Sequence, residues 1–113
     1  MSVSCIGIFR KQIWYIREQI NSADLVISFC PLPGDLGTLD TIIYATELKS
    51  HMLRDMTPQQ KAYFLAFASQ GADAVSTGKQ VLLVCFTGQV RSPMLKLEIE
   101  AIAKHKSHSS TTL

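Results

Sequence analysis

Apolar runs of strand length alternate with helical patterns along this chain. Three runs are mostly apolar over the length of one strand: residues 3–9, 23–30 and 81–84. Continuous apolar runs are typical of parallel strands that are covered on both faces. The first two are separated by residues 11–21, whose isoleucines recur at helical spacing: Ile13, Ile16 and Ile20. The pattern predicts strand, helix and strand in this order.

The second half of the chain carries clearer signals. Residues 31–40 predict a loop through their Pro and Gly content, whereas residues 41–54 fit either a strand or a short helix. A helix is predicted to begin after Thr57, because Pro58 suits the first helical position and Gln60 completes a capping box; Gly78 ends it. A last helix is predicted over residues 92–105, with Leu95, Ile99 and Ile102 on one side.

Strands that alternate with helices predict an α/β fold, with a mostly parallel central sheet flanked by helices. The length of 113 residues predicts a single domain over residues 1–113, and the polar residues 106–113 predict a flexible tail.

Composition argues against several classes of function. A net charge of +2 predicts no binding to nucleic acid or membranes, and no apolar run reaches the roughly 18 residues of a membrane span. The N-terminus does not resemble a signal peptide. Three widely spaced cysteines, with no Cys-x-x-Cys pair, favour a reducing, cytoplasmic compartment and no structural zinc. No metal or cofactor is predicted.

The stretch from Cys85 to Ser92, CFTGQVRS, combines groups that suit phosphate chemistry. It links a predicted buried strand to a predicted helix start, where backbone N–H groups and the helix dipole attract anions. Gly88 allows a sharp turn, and the fork of Arg91 can hold two anion oxygens. A cysteine in such a cradle is favoured as a thiolate nucleophile. The pattern therefore predicts a covalent phosphate site.

The spacing Cys85-x-x-Gly88-x-x-Arg91-Ser92 resembles the CX5R signature of the cysteine-dependent protein tyrosine phosphatases, most closely the dual-specificity branch. The resemblance covers roughly residues 50–103, and residues 1–49 match only in strand–helix–strand order. It implies a protein tyrosine phosphatase-like fold and a hydrolase acting on phosphoproteins or small phosphomonoesters.

The resemblance also implies roles for individual residues. Cys85 is the nucleophile, Arg91 binds the phosphoryl group, and Ser92 hydrogen-bonds the thiolate as it leaves. Asp55, about 30 residues before Cys85, is the general acid. The loop that surrounds the phosphate comprises Phe86, Thr87, Gly88, Gln89, Val90 and Arg91. Asp35 and Asp40 are the rival acids, but both lie farther upstream.

Two departures from the family pattern keep other functions open. Val84 stands where the family has a histidine, and the chain continues for about one helix after the loop, so the pocket wall is either thin or completed by a homodimer. One alternative is a module that binds phosphate without turnover. Another is an arsenate reductase-like enzyme, although the low-molecular-weight phosphatases and arsenate reductases carry their loop near the N-terminus.

Two smaller expectations concern residues outside the loop. Cys30 ends one apolar run as Cys85 ends another, so Cys30 is either a redox partner that forms a disulfide with Cys85 or a buried apolar residue. Trp14 and Tyr15 are expected to be packing residues rather than a recognition surface.

Overall fold

The structure is a computed structural model that describes residues 3–32, 41–45, 56–86 and 91–111. Within these ranges the elements follow one another as β1 (Val3–Gly7), α1 (Ile13–Asn21), β2 (Leu25–Ser28), β3 (Ile42–Tyr44), α2 (Pro58–Ser76), β4 (Val81–Cys85) and α3 (Arg91–Thr111). The predicted α/β class is confirmed.

The strands form one parallel sheet in the order β1-β4-β2-β3. β4 is hydrogen-bonded on both sides, with Cys85 opposite Gly7 of β1 and Val84 opposite Ser28 of β2. All five residues of β4 are buried, as the apolar run VLLV predicts for a central strand covered on both faces. The arrangement is consistent with a phosphatase-like α/β fold without being specific to it.

Helices cover the sheet on both faces. Successive residues of a strand point to opposite sides, so a strand such as β4 contributes side chains to both of the clusters between sheet and helices. Val81, Leu83 and Cys85 pack in a cluster with residues of α2 and α3, which include Phe64, Ala68, Ala72, Leu95 and Ile99. Leu82 and Val84 pack in the other cluster, together with Ile16 and Ile20 of α1. The protein therefore has three layers, with α1 on one face and α2 and α3 on the other.

α2 has the predicted ends. The Gln60 N–H donates to Oγ1 of Thr57 at 3.1 Å, and the Thr57 N–H donates to Oε1 of Gln60 at 2.9 Å, which makes a full capping box. Gly78 takes a left-handed φ of 84° after the helix, and its N–H and that of Lys79 donate to carbonyls of the last turn.

α2 and α3 approach each other closely at Gly71. A Cβ atom at this position would lie 2.5 Å from Cδ1 of Ile99, a side chain that is fully buried. A hydrogen is therefore the only substituent that fits between these two helices without a shift of Ile99.

The structure resolves one element that the sequence left open and extends another. Residues 41–54 were compatible with a strand or a helix, and residues 42–44 form β3 beside β2. α3 continues to Thr111, past the predicted end at residue 105 and into the stretch expected to be a flexible tail. Helical hydrogen bonds need no packed partner, and no Gly or Pro follows Pro93 to end the helix. None of the helices in the described ranges is long and apolar enough to cross a bilayer.

Candidate active site

Cys85 lies at the carboxyl edge of the sheet, between the ends of two neighbouring strands. Its carbonyl accepts a hydrogen bond of 3.1 Å from the Ile8 N–H, one residue beyond β1. On the other side the Phe29 N–H donates to the Val84 carbonyl at 2.8 Å, one residue beyond β2. The ends of two neighbouring strands therefore hold the backbone at Cys85, whose side chain is 2% exposed and packs in the α2–α3 cluster.

The chain leaves β1 and β4 towards opposite faces of the sheet. After β1 it passes to α1, which packs on one face, and after β4 it passes to α3, which packs on the other. In open α/β sheets, ligands bind outside the carboxyl ends of strands at the point where neighbouring connections diverge in this way. Cys85 ends one of the two strands at that point.

α3 begins six residues after Cys85, at Arg91. Its first turn contains no acidic residue, so no carboxylate of that turn offsets the partial positive charge of the helix N-terminus. The helix packs on β1 and β4 as well as on α2, which directs its start to the same edge of the sheet. This end of the protein is electrostatically suited to an anion.

Ser92, in the first turn of α3, is fully buried. Its Oγ has no hydrogen-bond partner among the described residues. A buried hydroxyl normally has a partner, so one without a partner points to a functional role. The predicted role, donation to the sulfur of Cys85, would use this hydroxyl.

Phe86 follows Cys85 and is 49% exposed, in contact with Phe9. Of the other predicted residues, Thr87, Gly88, Gln89 and Val90 lie outside the described residues, as does the side chain of Arg91. The general acid Asp55 and its rivals Asp35 and Asp40 also lie outside them. The structure thus brings together Cys85, Phe86 and the start of α3, and the remaining assignments stay predictions.

Cys30 and Cys85 occupy opposite faces of the sheet, although their strands are neighbours. Cys30 packs in the α1-side cluster and Cys85 in the α2–α3 cluster. Ser28 holds the turn at Cys30, since its Oγ donates to the Cys30 carbonyl at 2.6 Å. All three cysteines of the chain are thiols. This placement favours Cys30 as a buried apolar residue over its role as the disulfide partner of Cys85.

Cys5 shares the face of Cys85, but its chemistry differs. Burial raises the pKa of the half-buried Cys5 thiol from 9.0 to about 11; Lys96 opposes the rise, whereas Cys85 and Glu100 add to it. Cys5 therefore remains protonated at neutral pH and is a poor nucleophile.

The residues at the start of α1 were assigned wrongly from the sequence. Trp14, expected to be a packing residue, is 63% exposed, and Ile13, predicted on the buried face, is 54% exposed. Both belong to the first turn of α1, at the carboxyl edge of the sheet, whereas Ile16 and Ile20 lie farther along the helix and are buried. Arg10, which the sequence did not single out, takes a left-handed φ of 63° between β1 and α1.

Comparison with known proteins does not assign a family. No family model matches the sequence, and no curated protein matches it significantly.

Proposed function

We propose that the protein is a cysteine-dependent phosphatase that hydrolyses phosphomonoesters, in particular phosphotyrosine, phosphoserine or phosphothreonine of proteins. One observation carries the proposal: Cys85 ends the central strand where the chain paths diverge, and a helix start follows within seven residues, with the buried Ser92 hydroxyl unpaired in the part of the chain that the structure describes. The resemblance of CFTGQVRS to the phosphatase signature supports it.

In the proposed reaction, the Cys85 thiolate attacks phosphorus. The S–P bond forms as the P–O bond to the leaving group breaks, and Asp55 donates a proton to the leaving oxygen. Arg91 and the loop N–H groups hold the non-bridging oxygens. Asp55 then takes a proton from the attacking water, the S–P bond breaks, and Ser92 donates a hydrogen bond to the departing thiolate. Inorganic phosphate leaves.

The chemistry of the thiols bears on the compartment. The reaction needs Cys85 reduced, and the three cysteines of the chain are thiols. A cytoplasmic location, where thiols are kept reduced, is therefore part of the proposal. The proposed reaction uses no metal or cofactor.

Hydrolysis of p-nitrophenyl phosphate by the full chain tests this function. We expect turnover by the wild type and none by Cys85→Ser, with Cys5→Ser as the matched cysteine control that keeps activity. Arg91→Ala should lose both turnover and binding of inorganic phosphate, whereas Cys85→Ser should keep binding. If Cys85→Ser retains more than about a few per cent of the activity, the covalent mechanism is wrong.

Val84 favours a second candidate, a module that binds phosphate without turnover. The family has a histidine here, whereas the Val84 side chain is fully buried in the apolar α1-side cluster, so no imidazole supports the loop. This candidate is supported if phosphate binds through Arg91 and no ester is hydrolysed. Thiol-dependent reduction of arsenate, assayed in parallel, would instead identify the arsenate reductase-like alternative.

A further inference from the structure

Four large apolar side chains are exposed near the carboxyl edge of the sheet: Phe9 at 49%, Ile13 at 54%, Trp14 at 63% and Phe86 at 49%. They come from the segment between β1 and α1, from the first turn of α1 and from the residue after β4. Single exposed apolar residues are ordinary, but a group of them in adjacent segments indicates an interaction surface.

Direct contacts connect Phe9 and Phe86, the two members of this group that lie outside α1. The rings of Phe9 and Phe86 have centroids 5.0 Å apart, and the Phe9 N–H donates to the Phe86 carbonyl at 2.8 Å. The guanidinium carbon of Arg10 lies 5.1 Å from the Phe9 ring centroid. Both aromatic rings are thus fixed by the extension of the β1–β4 ladder, and the Phe9 ring carries a cation against it.

The helix side repeats the combination of aromatic ring and cation. Trp14 contacts Tyr15 edge to face, with ring centroids 6.1 Å apart, and Nζ of Lys11 lies 5.6 Å from the Tyr15 centroid. Lys11 directly follows Arg10, so the two ring contacts are joined through consecutive residues. Exposed aromatic and basic side chains therefore lie within a few residues of one another over residues 9–14.

The local charge differs from that of the whole chain. The net charge is only +2, but the first acidic residue is Glu18, so residues 1–17 carry Arg10, Lys11 and Arg17 without any carboxylate side chain. Weak net charge is the reason that the sequence predicts no membrane binding. A local excess of cations beside exposed apolar groups changes that expectation.

We propose that a carboxyl-edge face docks the protein on an anionic lipid surface. This face comprises Phe9, Arg10, Lys11, Ile13, Trp14 and Phe86. Such a surface complements both parts of the face, because its phosphates attract Arg and Lys while Trp and Phe enter the headgroup region. A second copy fits less well, since the cations of two such faces would repel each other. The proposal does not depend on turnover at Cys85.

The chain reports on this docking by itself, because Trp14 is its only tryptophan. Its emission should shift to shorter wavelength when the full chain meets vesicles of phosphatidylcholine with about a third phosphatidylserine. Vesicles of phosphatidylcholine alone should give little shift, and salt should weaken the effect with anionic vesicles. An emission that does not change with anionic vesicles overturns the proposal, whichever variants fold.

Matched variants test the face by co-sedimentation with the same vesicles. Arg10→Glu should lower the partition constant at least about 10-fold, whereas Lys79→Glu, which makes the same charge change at the opposite edge of the sheet, should leave it near that of the wild type. Trp14→Ala should lower it about 10-fold, and Leu97→Ala, which truncates a more exposed residue on α3, should not.

Other outcomes decide between partners. If the wild type and Arg10→Glu bind the anionic vesicles equally, the proposed docking face is wrong. It is also wrong if an acidic peptide binds at this face and vesicles do not, because the partner is then a protein. Cys85→Ser should sediment like the wild type, so a failed phosphatase assay and a failed vesicle assay remain distinguishable.

Discussion

Ser92→Ala separates function from stability at the candidate site. The chain offers a matched control, because Ser28 and Ser92 are both fully buried. Ser28 is satisfied: its Oγ donates to the Cys30 carbonyl at 2.6 Å and lies 3.4 Å from the Cys30 N–H, which donates to it. The Oγ of Ser92 has no partner within the described ranges. The two Ser→Ala changes should therefore have opposite effects on folding.

The expected sizes follow from these contacts. A buried hydroxyl without a hydrogen bond costs about 1–3 kcal/mol, and the removal of one oxygen leaves only a small void. Ser92→Ala should thus raise the free energy of unfolding by about 0.5–2 kcal/mol. Ser28→Ala removes both hydrogen bonds of the Oγ and leaves the Cys30 carbonyl and N–H with fewer partners, so it should lower that free energy by about 1–2 kcal/mol.

The effect on activity should run the other way. Under the proposed function the Ser92 hydroxyl donates to the Cys85 sulfur as it leaves phosphorus with a negative charge. A hydrogen bond to a charged group contributes about 1.5–3 kcal/mol, which corresponds to a roughly 10- to 100-fold slower breakdown of the cysteinyl-phosphate. Ser92→Ala should therefore be more stable than the wild type and slower in turnover, an exchange that is common at functional sites.

Urea unfolding and rapid mixing with p-nitrophenyl phosphate measure the two effects. In the kinetic experiment Ser92→Ala should release p-nitrophenol in a burst that is followed by a slow steady state, because breakdown becomes limiting. The reasoning is refuted if Ser92→Ala lowers the free energy of unfolding by more than about 1 kcal/mol, since the hydroxyl would then have a stabilising partner. Stability gained with unchanged turnover would leave Ser92 without a part in the reaction.

Three further predictions concern helix packing, a thiol and the general acid. Gly71→Ala should lower the free energy of unfolding by about 1–3 kcal/mol through its clash with Ile99, and Ile99→Val, which removes Cδ1 but keeps Cγ1 at 2.9 Å from the new Cβ, should recover part of the loss; independent effects in urea titrations would contradict this packing. Because Cys5 keeps its proton longer in the folded state, the free energy of unfolding should fall as pH rises from about 9 to 11, and less so in Cys5→Ala; equal slopes would reject the raised pKa. Asp55→Asn should slow hydrolysis of esters with poor leaving groups roughly 10²–10³-fold. If Asp40→Asn shows this loss and Asp55→Asn does not, Asp40 is the general acid instead.

The central layer of the fold is predictable because its signals are local. The run VLLV shows a strand buried on both faces, and the Thr57, Pro58 and Gln60 pattern marks the start of α2. β3 is harder to predict, because it has only three residues and lies at the edge of the sheet. Its strand conformation depends on pairing with β2, and a local sequence pattern does not show that pairing.

The candidate site shows the same division. The position of Cys85 at the end of a buried strand, before a helix, follows from the sequence pattern and is confirmed. The face on which Cys30 packs does not follow, since one residue more or less in a turn exchanges the two faces of a sheet. Helical periodicity likewise groups Ile13 with Ile16 but does not show that the first turn of α1 is left exposed.

The position of β4 in the sheet has a consequence for how the protein is made. β1 hydrogen-bonds to β4 rather than to β2, although β2 is the next strand along the chain. During synthesis β1 and β2 therefore cannot become part of one sheet until residues 81–85, which pair with both strands, have been made. Until then β1 has no strand partner, although β2 can already pair with β3, and intermediates with unpaired apolar strands are prone to aggregation. The strand that carries the candidate nucleophile is thus also the strand that completes the sheet, because it links β1 to β2.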